Sequence, residues 1–443
     1  MKRFLFLMIL FAFPIFSQTG DRKYDLEECL RIAEQNNYDI QISRQRVNSS
    51  RAQRRNAFGN FLPNINFNMG YSRQLNVEGG KTANIGGQII NVPAQDPDSY
   101  NMQAVARLNI FDGFSRESNY NRASENYEAS KLNSRQTDQL VLLRIYSNFI
   151  NVIKNKKIVE ARKENLQIGK RDLDRIQAQF DAGVVPKTAV YSQEADIGNR
   201  EIQLISAETQ LKTSKAALME SMGVMPNMNA DFNEESLPEQ ITETDILKFR
   251  RSVGSMKSAL NRALAKRPDL KASKKLIDAA ESSVKISQSS YFPTLSASGG
   301  WNWSNSEFNE FSESARSYVG MNLSVPIFQN FSVQNNIQQS KLQLKQREIE
   351  KNRLEQQIRT RVQTAYINLE SSEQSLNVSK ISLRSARLNY ESTKERFDVG
   401  DVSVTELQIA NSQYIQAQIN YITSVYDYIN SQKEVLYSVG ELK

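Results

Sequence analysis

The sequence predicts a mainly α-helical chain with a small membrane β part, built from a duplicated helix–strand–strand–long helix–helix unit. Three features predict this fold: four segments that alternate polar and apolar residues, very long stretches without Gly or Pro, and two copies of one pattern. Each predicted strand is about as long as a tilted strand that crosses a bilayer. The four strands are predicted at residues 64–72, 100–111, 294–304 and 317–328.

The first strand shows the alternation most clearly, in "FLPNINFNMGYSR" at residues 61–73. Three asparagines alternate with Ile65, Phe67 and Met69, which gives the strand one polar and one apolar face. A small soluble sheet resting on a core would alternate in the same way. Strand length, a secretory leader and aromatic residues near the loop ends favour membrane strands. The residues predicted to form an aromatic girdle are Tyr71, Trp301 and Trp303.

The chain contains the same pattern twice. "YFPTLSASGGWNW" at 291–303 repeats the first strand region at an offset of 230, while "FDVGDVSVT" at 397–405 repeats "FDAGVVPKT" at 180–188 at an offset of 217. The first copy therefore holds 13 additional residues, and its Gly-, Asn- and Pro-rich segment 77–99 predicts a surface loop there. The predicted divisions are a signal peptide (1–17), a first repeat (18–223), a linker (224–255) and a second repeat (256–443).

The helical segments are unusually long. No Gly or Pro occurs from Gln329 to Val399, and 71 residues of helix would extend about 106 Å. Apolar residues recur there at steps of three, four and seven, which predicts a coiled-coil seam with polar faces elsewhere. Such a helix requires neighbours packed side by side. The predicted seam residues are Leu354, Ile358, Val362, Ala365, Leu369, Leu376, Leu383, Ala386, Tyr390 and Phe397.

Composition excludes several classes of protein. Lys2 and Arg3 followed by an apolar run predict a secretory signal peptide ending at Ser17. Without those two residues the formal charge falls from +7 to +5, and the excess is dispersed, so we expect no nucleic-acid partner. The chain has no histidine and a single cysteine, Cys29, which excludes Ser-His and Cys-His catalytic pairs, imidazole metal sites and an intrachain disulfide. We therefore expect no enzyme, no cofactor and no metal.

Strands inside a bilayer must form a closed barrel, because an open edge leaves backbone groups unpaired in hydrocarbon. Four strands are too few, since small membrane barrels have about eight. Several copies of the chain must then share one barrel. The long helices must pack around the same axis, so the barrel would continue as a ring of helices.

The chain resembles the TolC family of outer-membrane efflux channels over about residues 24–440. "LRIAEQNNYDIQISRQRV" and "LNRALAKRPDLKASKKLI" are similar to the paired N-terminal helices of that family, and "FLPNI" and "YFPTL" to its helix-to-strand junctions. The best single match is "ERFDVGDVSVTELQIANSQYIQAQINY" at 395–421, which resembles the helical hairpin at the periplasmic tip.

This resemblance implies a homotrimer with a 12-strand outer-membrane β-barrel continued by a 12-helix periplasmic α-barrel. It implies a location in the outer membrane, in contact with lipid, with a long periplasmic extension. It further implies a passive duct whose tip docks on a periplasmic adaptor protein and, through it, on an inner-membrane RND or ABC transporter. The linker would lie in the belt around the helical barrel.

The resemblance also assigns roles at the tip. Two tight turns are predicted to dock the adaptor, and the pore would be gated just beyond them. Glu406 occupies one acidic position of the family's gate, Ile409 replaces another, and Phe397 and Val402 stand where locking polar residues are expected. We therefore expect an apolar collar of Phe397 and Ile409, with Glu406 as a further gate residue. The predicted docking residues are Gly183, Val184, Val185, Gly400, Asp401 and Val402.

Two alternative functions are compatible with parts of the pattern. An exported coiled-coil structural protein or adhesin explains the helices but gives no reason for a duplicated strand pair. A diffusion porin explains the strands but not helices of about 100 Å. Oligomer mass and shape discriminate the three, because they predict a trimeric tube, a filament or a squat barrel.

Overall fold

The computed structural model describes residues 23–75, 80–92, 98–227 and 229–442, so the predicted signal peptide lies outside the described residues. Helices dominate, and four of the strands are 10 to 14 residues long. The elements are, in chain order, β1 (Lys23–Tyr24), α1 (Leu26–Asn36), α2 (Tyr38–Gly59), β2 (Asn64–Arg73), β3 (Lys81–Ile85), β4 (Gln88–Val92), β5 (Asp98–Phe111), α3 (Ser115–Asp181), α4 (Lys187–Met222), β6 (Asp231–Phe232), α5 (Glu243–Val253), α6 (Met256–Lys266), α7 (Pro268–Ser289), β7 (Thr294–Asn305), β8 (Ala315–Ser324), α8 (Ser332–Asp398) and α9 (Val404–Ser438).

The duplication is visible in the element boundaries. Helices α1 and α2 recur as α6 and α7 at an offset of 230, and α3 recurs as α8 at an offset of 217. Both α3 and α8 are 67 residues long, or about 100 Å. Each follows a residue in the left-handed region, Phe114 or Phe331, which turns the chain from strand into helix. The two repeats therefore share one local geometry as well as one sequence pattern.

The four long strands form one antiparallel sheet in the order β2–β5–β7–β8. Its register places Phe67 opposite Ala104, and Ala297 opposite Met321. A bulge interrupts β5 at Ile110, where the strand approaches its helix. Among the described residues, the outer edges of β2 and β8 have no neighbouring strand. The sheet is therefore open on both sides within one chain.

Two local expectations differ from the structure. The fourth strand ends at Ser324 rather than 328, because Pro326 has no backbone N–H to donate to a ladder. Val325 and Ile327 consequently lie outside the strand and are exposed. Within the segment predicted as a loop, β3 and β4 form a hairpin around Gly86 and Gly87.

The long helices pack side by side as a single wall. In the upper part of the wall, which is nearer the sheet, α2 packs on α3, α3 on α7, and α7 on α8. In the lower part, which is farther from the sheet, α4 packs on α3, α3 on α9, and α9 on α8. Helix α8 is therefore at one margin along its whole length, while α2 and α4 share the other. Seven residues of the predicted seam are buried: Ile358, Val362, Ala365, Leu369, Leu376, Tyr390 and Phe397.

The linker between the repeats folds across the middle of this wall. Its strand β6 pairs in parallel with β1, and Phe232 is fully buried against Phe149. Ion pairs fix both ends: Lys157 of α3 holds Glu234, and Arg250 of α5 holds Glu373 of α8. The linker thus connects the first repeat to the second at mid-height.

Candidate channel wall and tip

The sheet has one apolar face that, among the described residues, is covered only at its loop end, where the β7–β8 connection packs on Trp303. Opposite residues in an antiparallel register share a face, and this places the apolar members of all four strands together. Met321 is 74% exposed although it sits mid-strand. Since soluble proteins rarely expose a continuous patch of this kind, the face is suited to contact lipid. Its members include Ile65, Phe67, Met69, Met102, Ala104, Leu108, Ala297, Trp301, Val319, Met321 and Leu323.

The opposite face of the same sheet is polar. Asparagines, serines and Gln103 dominate it, with Arg107 and Arg316 as its charged members. Where the sheet meets the helices, this face borders a polar cavity of about 890 Å³ that Asn64, Asn66 and Arg107 help to line. A sheet with one apolar and one polar face has the surface that a barrel wall requires between lipid and a water-filled lumen.

The predicted aromatic girdle is only partly exposed. Tyr71 is exposed and donates a hydrogen bond to Asp98 at 2.8 Å. Trp301 is partly buried on the apolar face. The girdle prediction is wrong for Trp303, whose side chain is 0% exposed. The β7–β8 connection folds over it, and the Phe311 ring stacks on the indole with ring centroids 4.7 Å apart.

The exposed rings at this end of the sheet include Phe308 and Phe311, which the sequence did not single out. Phe308 packs on Tyr100 and on Trp303, with ring centroids 5.8 and 5.7 Å apart. The sequence pattern could not predict their role, because they lie in a loop and strand alternation carries no information about residues beyond the strand.

Two tight turns form the end of the helical part that lies farthest from the sheet. Gly183 and Gly400 have φ values of 75° and 81°, which side chains other than glycine rarely adopt. Val184 is exposed, whereas Val185 and Val402 are half-buried. Asp401 accepts a hydrogen bond from Arg396 at 2.7 Å. The six predicted docking residues thus lie in two corresponding turns.

On the sheet side of these turns, an apolar cluster joins the four helices α3, α4, α8 and α9. It contains Ile176, Val190, Tyr390 and Leu407, together with Phe397. Phe397 is only 4% exposed, and the Arg175 guanidinium lies 4.9 Å from its ring centre. The expectation that Phe397 narrows a pore is therefore corrected, because its ring packs against other side chains of the same chain.

The other two predicted gate residues do share an exposed surface. Glu406 and Ile409 are three positions apart on α9, so they lie on one face of the helix. Ile409 is 54% exposed, and the Glu406 side chain is also exposed. The buried face of α9 carries Leu407 and Ala410 instead.

A buried polar layer lies above the apolar cluster. Arg200 of α4 is 5% exposed, pairs with Asp196 at 2.6 Å and donates to the Asn165 carbonyl at 2.7 Å. Gln193 donates to the Gly169 carbonyl at 2.9 Å and accepts from Gln408 of α9 at 2.9 Å. Polar bonds therefore connect the α3–α4 pair to the α8–α9 pair.

Gly169 makes room for this layer. A Cβ at that position would lie 3.0 Å from the Arg200 side chain, so any larger residue requires the arginine to shift. The sequence analysis missed both residues. A glycine inside an otherwise unbroken helical pattern was the available signal.

A surface ion pair also joins the two helix pairs. Arg175 of α3 contacts Asp398, the last residue of α8, and also pairs with Asp172 at 3.0 Å. Burial raises the pKa of the Asp172 carboxyl, although Arg175 and Arg200 oppose this. Desolvation of this carboxyl therefore outweighs the attraction of the two arginines.

Among the described residues, no helix is long and apolar enough to cross a membrane. In the same residues, no cluster of three potential metal ligands occurs. An open sheet with a lipid-suited face, continued by a wall of helices about 100 Å long, defines a segment of a membrane duct.

The protein is a channel of this kind: the chain belongs to the outer membrane efflux protein family, whose model matches residues 29–224 and 259–441. It is similar to the outer membrane efflux protein BepC of Brucella suis, at 24% identity over 338 residues, covering 75% of this chain and 70% of that protein. It is also 23% identical to the outer membrane protein TolC of Vibrio cholerae, over 69% of each chain.

Solved structures agree on the fold. The chain superimposes on CusC with a TM-score of 0.76 at 17% identity, covering 94% of this chain and 92% of that one. For the CmeC outer membrane channel of Campylobacter jejuni the TM-score is 0.77 at 18% identity, covering 94% and 85%. Because the chain belongs to the outer membrane efflux protein family, it is an outer-membrane efflux channel, and the adhesin alternative is not favoured.

Proposed function

We propose that three copies of this chain close into one 12-strand barrel continued by 12 helices, forming a passive duct across the outer membrane and into the periplasm. The observation that carries the proposal is the open sheet, which has one apolar face and two unpaired edges. Pairing β8 of one copy with β2 of the next would remove every edge from the hydrocarbon. Family membership supports the same assembly.

The helical wall supports this mode of association. Its two margins, α8 on one side and α4 on the other, carry exposed apolar residues at coiled-coil spacing. Val378, Ile381 and Leu388 form one such row on α8, and Ile202 and Ile205 form a shorter row on α4. Head-to-tail contact between these margins would bury both rows and generate a ring.

The trimer is tested by mass and by crosslinking. We expect the detergent-purified protein to have three times the mass of one chain. A photoreactive residue at Ile205 should crosslink to a second copy, whereas one at Ile197, which is buried within its own chain, should not. A monomer or an open filament would overturn the proposal.

We further propose that the two turns at Gly183 and Gly400 dock a periplasmic adaptor protein, which links the duct to an inner-membrane RND or ABC transporter. Both turns lie at the end of the helices and present exposed Val184 and Asp401. The pump would choose the cargo. The belt position of the linker at residues 224–255 belongs to the same proposal.

Crosslinking in cells tests the docking site. A photoreactive residue at Asp401 should capture a periplasmic adaptor, whereas one at exposed Leu342 near the upper end of α8 should not. An adaptor of a proton-driven pump would indicate small-molecule efflux, and an adaptor of an ATP-driven exporter would indicate peptide or protein secretion. Capture of no adaptor by an assembled trimer would reject the docking site.

The gate is proposed at the exposed face of α9 that carries Glu406 and Ile409. Three copies would bring this face to the axis of the ring just above the turns. Ile409 would narrow the pore and Glu406 would give it a negative rim. Phe397 has no place in this gate because it packs within its own chain.

A further inference from the structure

The polar face of the sheet carries positive charge and no negative charge. The residues of β2, β5, β7 and β8 that share this face include Arg107 and Arg316, and none of them is an aspartate or glutamate. Both arginines are exposed. Within the described part of the chain, neither forms an ion pair that would neutralise it.

The two arginines lie at different depths in the same wall. Arg107 is opposite Ser298 in the register, while Arg316 is opposite Asn302. Four residues along β7 separate these levels, which corresponds to about 13 Å. Tyr318 lies between them and crosses Gly300 so closely that a Cβ there would be 2.6 Å from the ring.

Other charges near the sheet are paired or lie elsewhere. At the helical end, Arg116 is paired with Asp112 at 3.2 Å. At the opposite end, Arg73 and Asp98 lie 3.9 Å apart on the apolar side of the register. The glutamates of the β7–β8 connection lie beyond the ends of both strands. The net charge of the polar face is therefore set by Arg107 and Arg316.

We propose that the barrel lumen favours anionic solutes, through two levels of arginines at Arg107 and Arg316. This rests on the proposed function, in which the polar face lines the lumen of a closed barrel. Each level would then hold one arginine from every copy. Low-dielectric walls focus such a field into the pore, which raises the local concentration of anions and lowers that of cations.

Charged thiol reagents of equal size measure this potential directly. We would place a cysteine at Ser298, opposite Arg107, and compare its rates of modification by an anionic and a cationic methanethiosulfonate in intact outer membranes. The native Cys29 does not interfere, because it is fully buried and burial raises its pKa to about 12. A cysteine at the adjacent Ala297 reports on the apolar face.

The expected result is faster modification of the Ser298 position by the anionic reagent. Removing the charge with Arg107→Gln should lower the anionic-to-cationic rate ratio about two- to fivefold, as expected for one charge at about 7 Å in salt water. Arg107→Lys should preserve the ratio, and Arg316→Gln should lower it less. An equal rate for both reagents, or a ratio unchanged by Arg107→Gln, would overturn the inference.

The cysteine at Ala297 distinguishes a failure of the proposed barrel from a failure of the proposed anion preference. If it resists both reagents while the Ser298 position reacts, the polar face lines a lumen, and the rate ratio alone decides the selectivity. If both positions react equally, the sheet does not divide lipid from lumen, and the proposed barrel itself fails.

Discussion

Arg175 of α3 contacts Asp398, the last residue of α8 and 223 positions away in sequence, and so joins the lower ends of the two helices. The same guanidinium packs over Phe397 and pairs with Asp172. One side chain therefore connects the surface of the tip to its buried cluster. This makes the pair a restraint on any outward movement of α8 relative to α3.

Removal of this ion pair should favour the open tip. We expect Asp398→Asn to increase the open fraction about two- to fivefold, because a partly exposed pair contributes up to about 1 kcal/mol. Single-channel recording in planar bilayers measures this fraction. Asp174→Asn is the matched control, since Asp174 is an exposed carboxylate of α3, next to Arg175 in the sequence. Equal effects of the two variants would contradict a specific restraint.

The proposed gate face predicts different outcomes for its two residues. Ile409→Ala should raise conductance by widening the narrowest point. Glu406→Gln should leave the width unchanged and reduce the preference of the tip for cations. Reversal potentials in a salt gradient separate these effects. If Ile409→Ala leaves conductance unchanged while Glu406→Ala opens the pore, the proposal that Ile409 narrows the pore is wrong.

Phe397 should affect stability of the tip rather than pore width. Phe397→Ala removes a buried ring and its contact with Arg175, which should cost about 3–5 kcal/mol of local stability. Hydrogen exchange of the amides around the two turns would rise accordingly. Val399→Ala serves as the control, because Val399 is 80% exposed and its truncation should cost less than about 0.5 kcal/mol.

Gly169 is expected to resist substitution even by a better helix former. Alanine in a helix interior is ordinarily favoured over glycine by up to about 1 kcal/mol. Gly169→Ala should nevertheless destabilise, because its Cβ would displace Arg200 from the polar layer. Thermal unfolding of the purified protein measures the difference. Gly59→Ala is the comparison, since its Cβ would meet open space; stabilisation by both substitutions would refute the close approach.

The linker should loosen in acid. The hydrogen bond from Lys157 lowers the pKa of Glu234 below its usual value of 4.5. A depressed carboxyl pKa stabilises the folded state above the unfolded value, and this stabilisation is lost as pH falls through the folded value. Hydrogen exchange at β1 and β6 should therefore rise below about pH 4.5. In Glu234→Gln this acid-dependent rise should be smaller; an unchanged profile would exclude the pair as its cause.

Much of the fold follows from local pattern. Alternation placed the strands because their register is fixed by one polar and one apolar face, and steps of three, four and seven placed the α8 seam because periodicity determines which face is buried. Alternation alone places the end of the fourth strand too late, because the alternation continues past Pro326, which cannot donate a hydrogen bond to the ladder.

The direction of individual side chains was less predictable. Trp303 and Phe397 are aromatic residues at positions that suit a girdle or a gate, yet Trp303 is covered by the loop that follows its own strand, and Phe397 packs with side chains of the neighbouring helices. The contact of Arg200 with Gly169 likewise joins positions 31 residues apart on neighbouring helices. Such contacts depend on how helices and loops pack, which one sequence does not state.

The equal lengths of α3 and α8 constrain how the length of this duct can change. One residue inserted in α8 would rotate everything below it by about 100° and expose the seam. A heptad preserves the seam and adds about 10.5 Å, but the turns at Gly183 and Gly400 stay level only if α3, α4, α8 and α9 all gain it. The reach of the tube into the periplasm is therefore expected to vary among relatives in steps of whole heptads, acquired by four helices together.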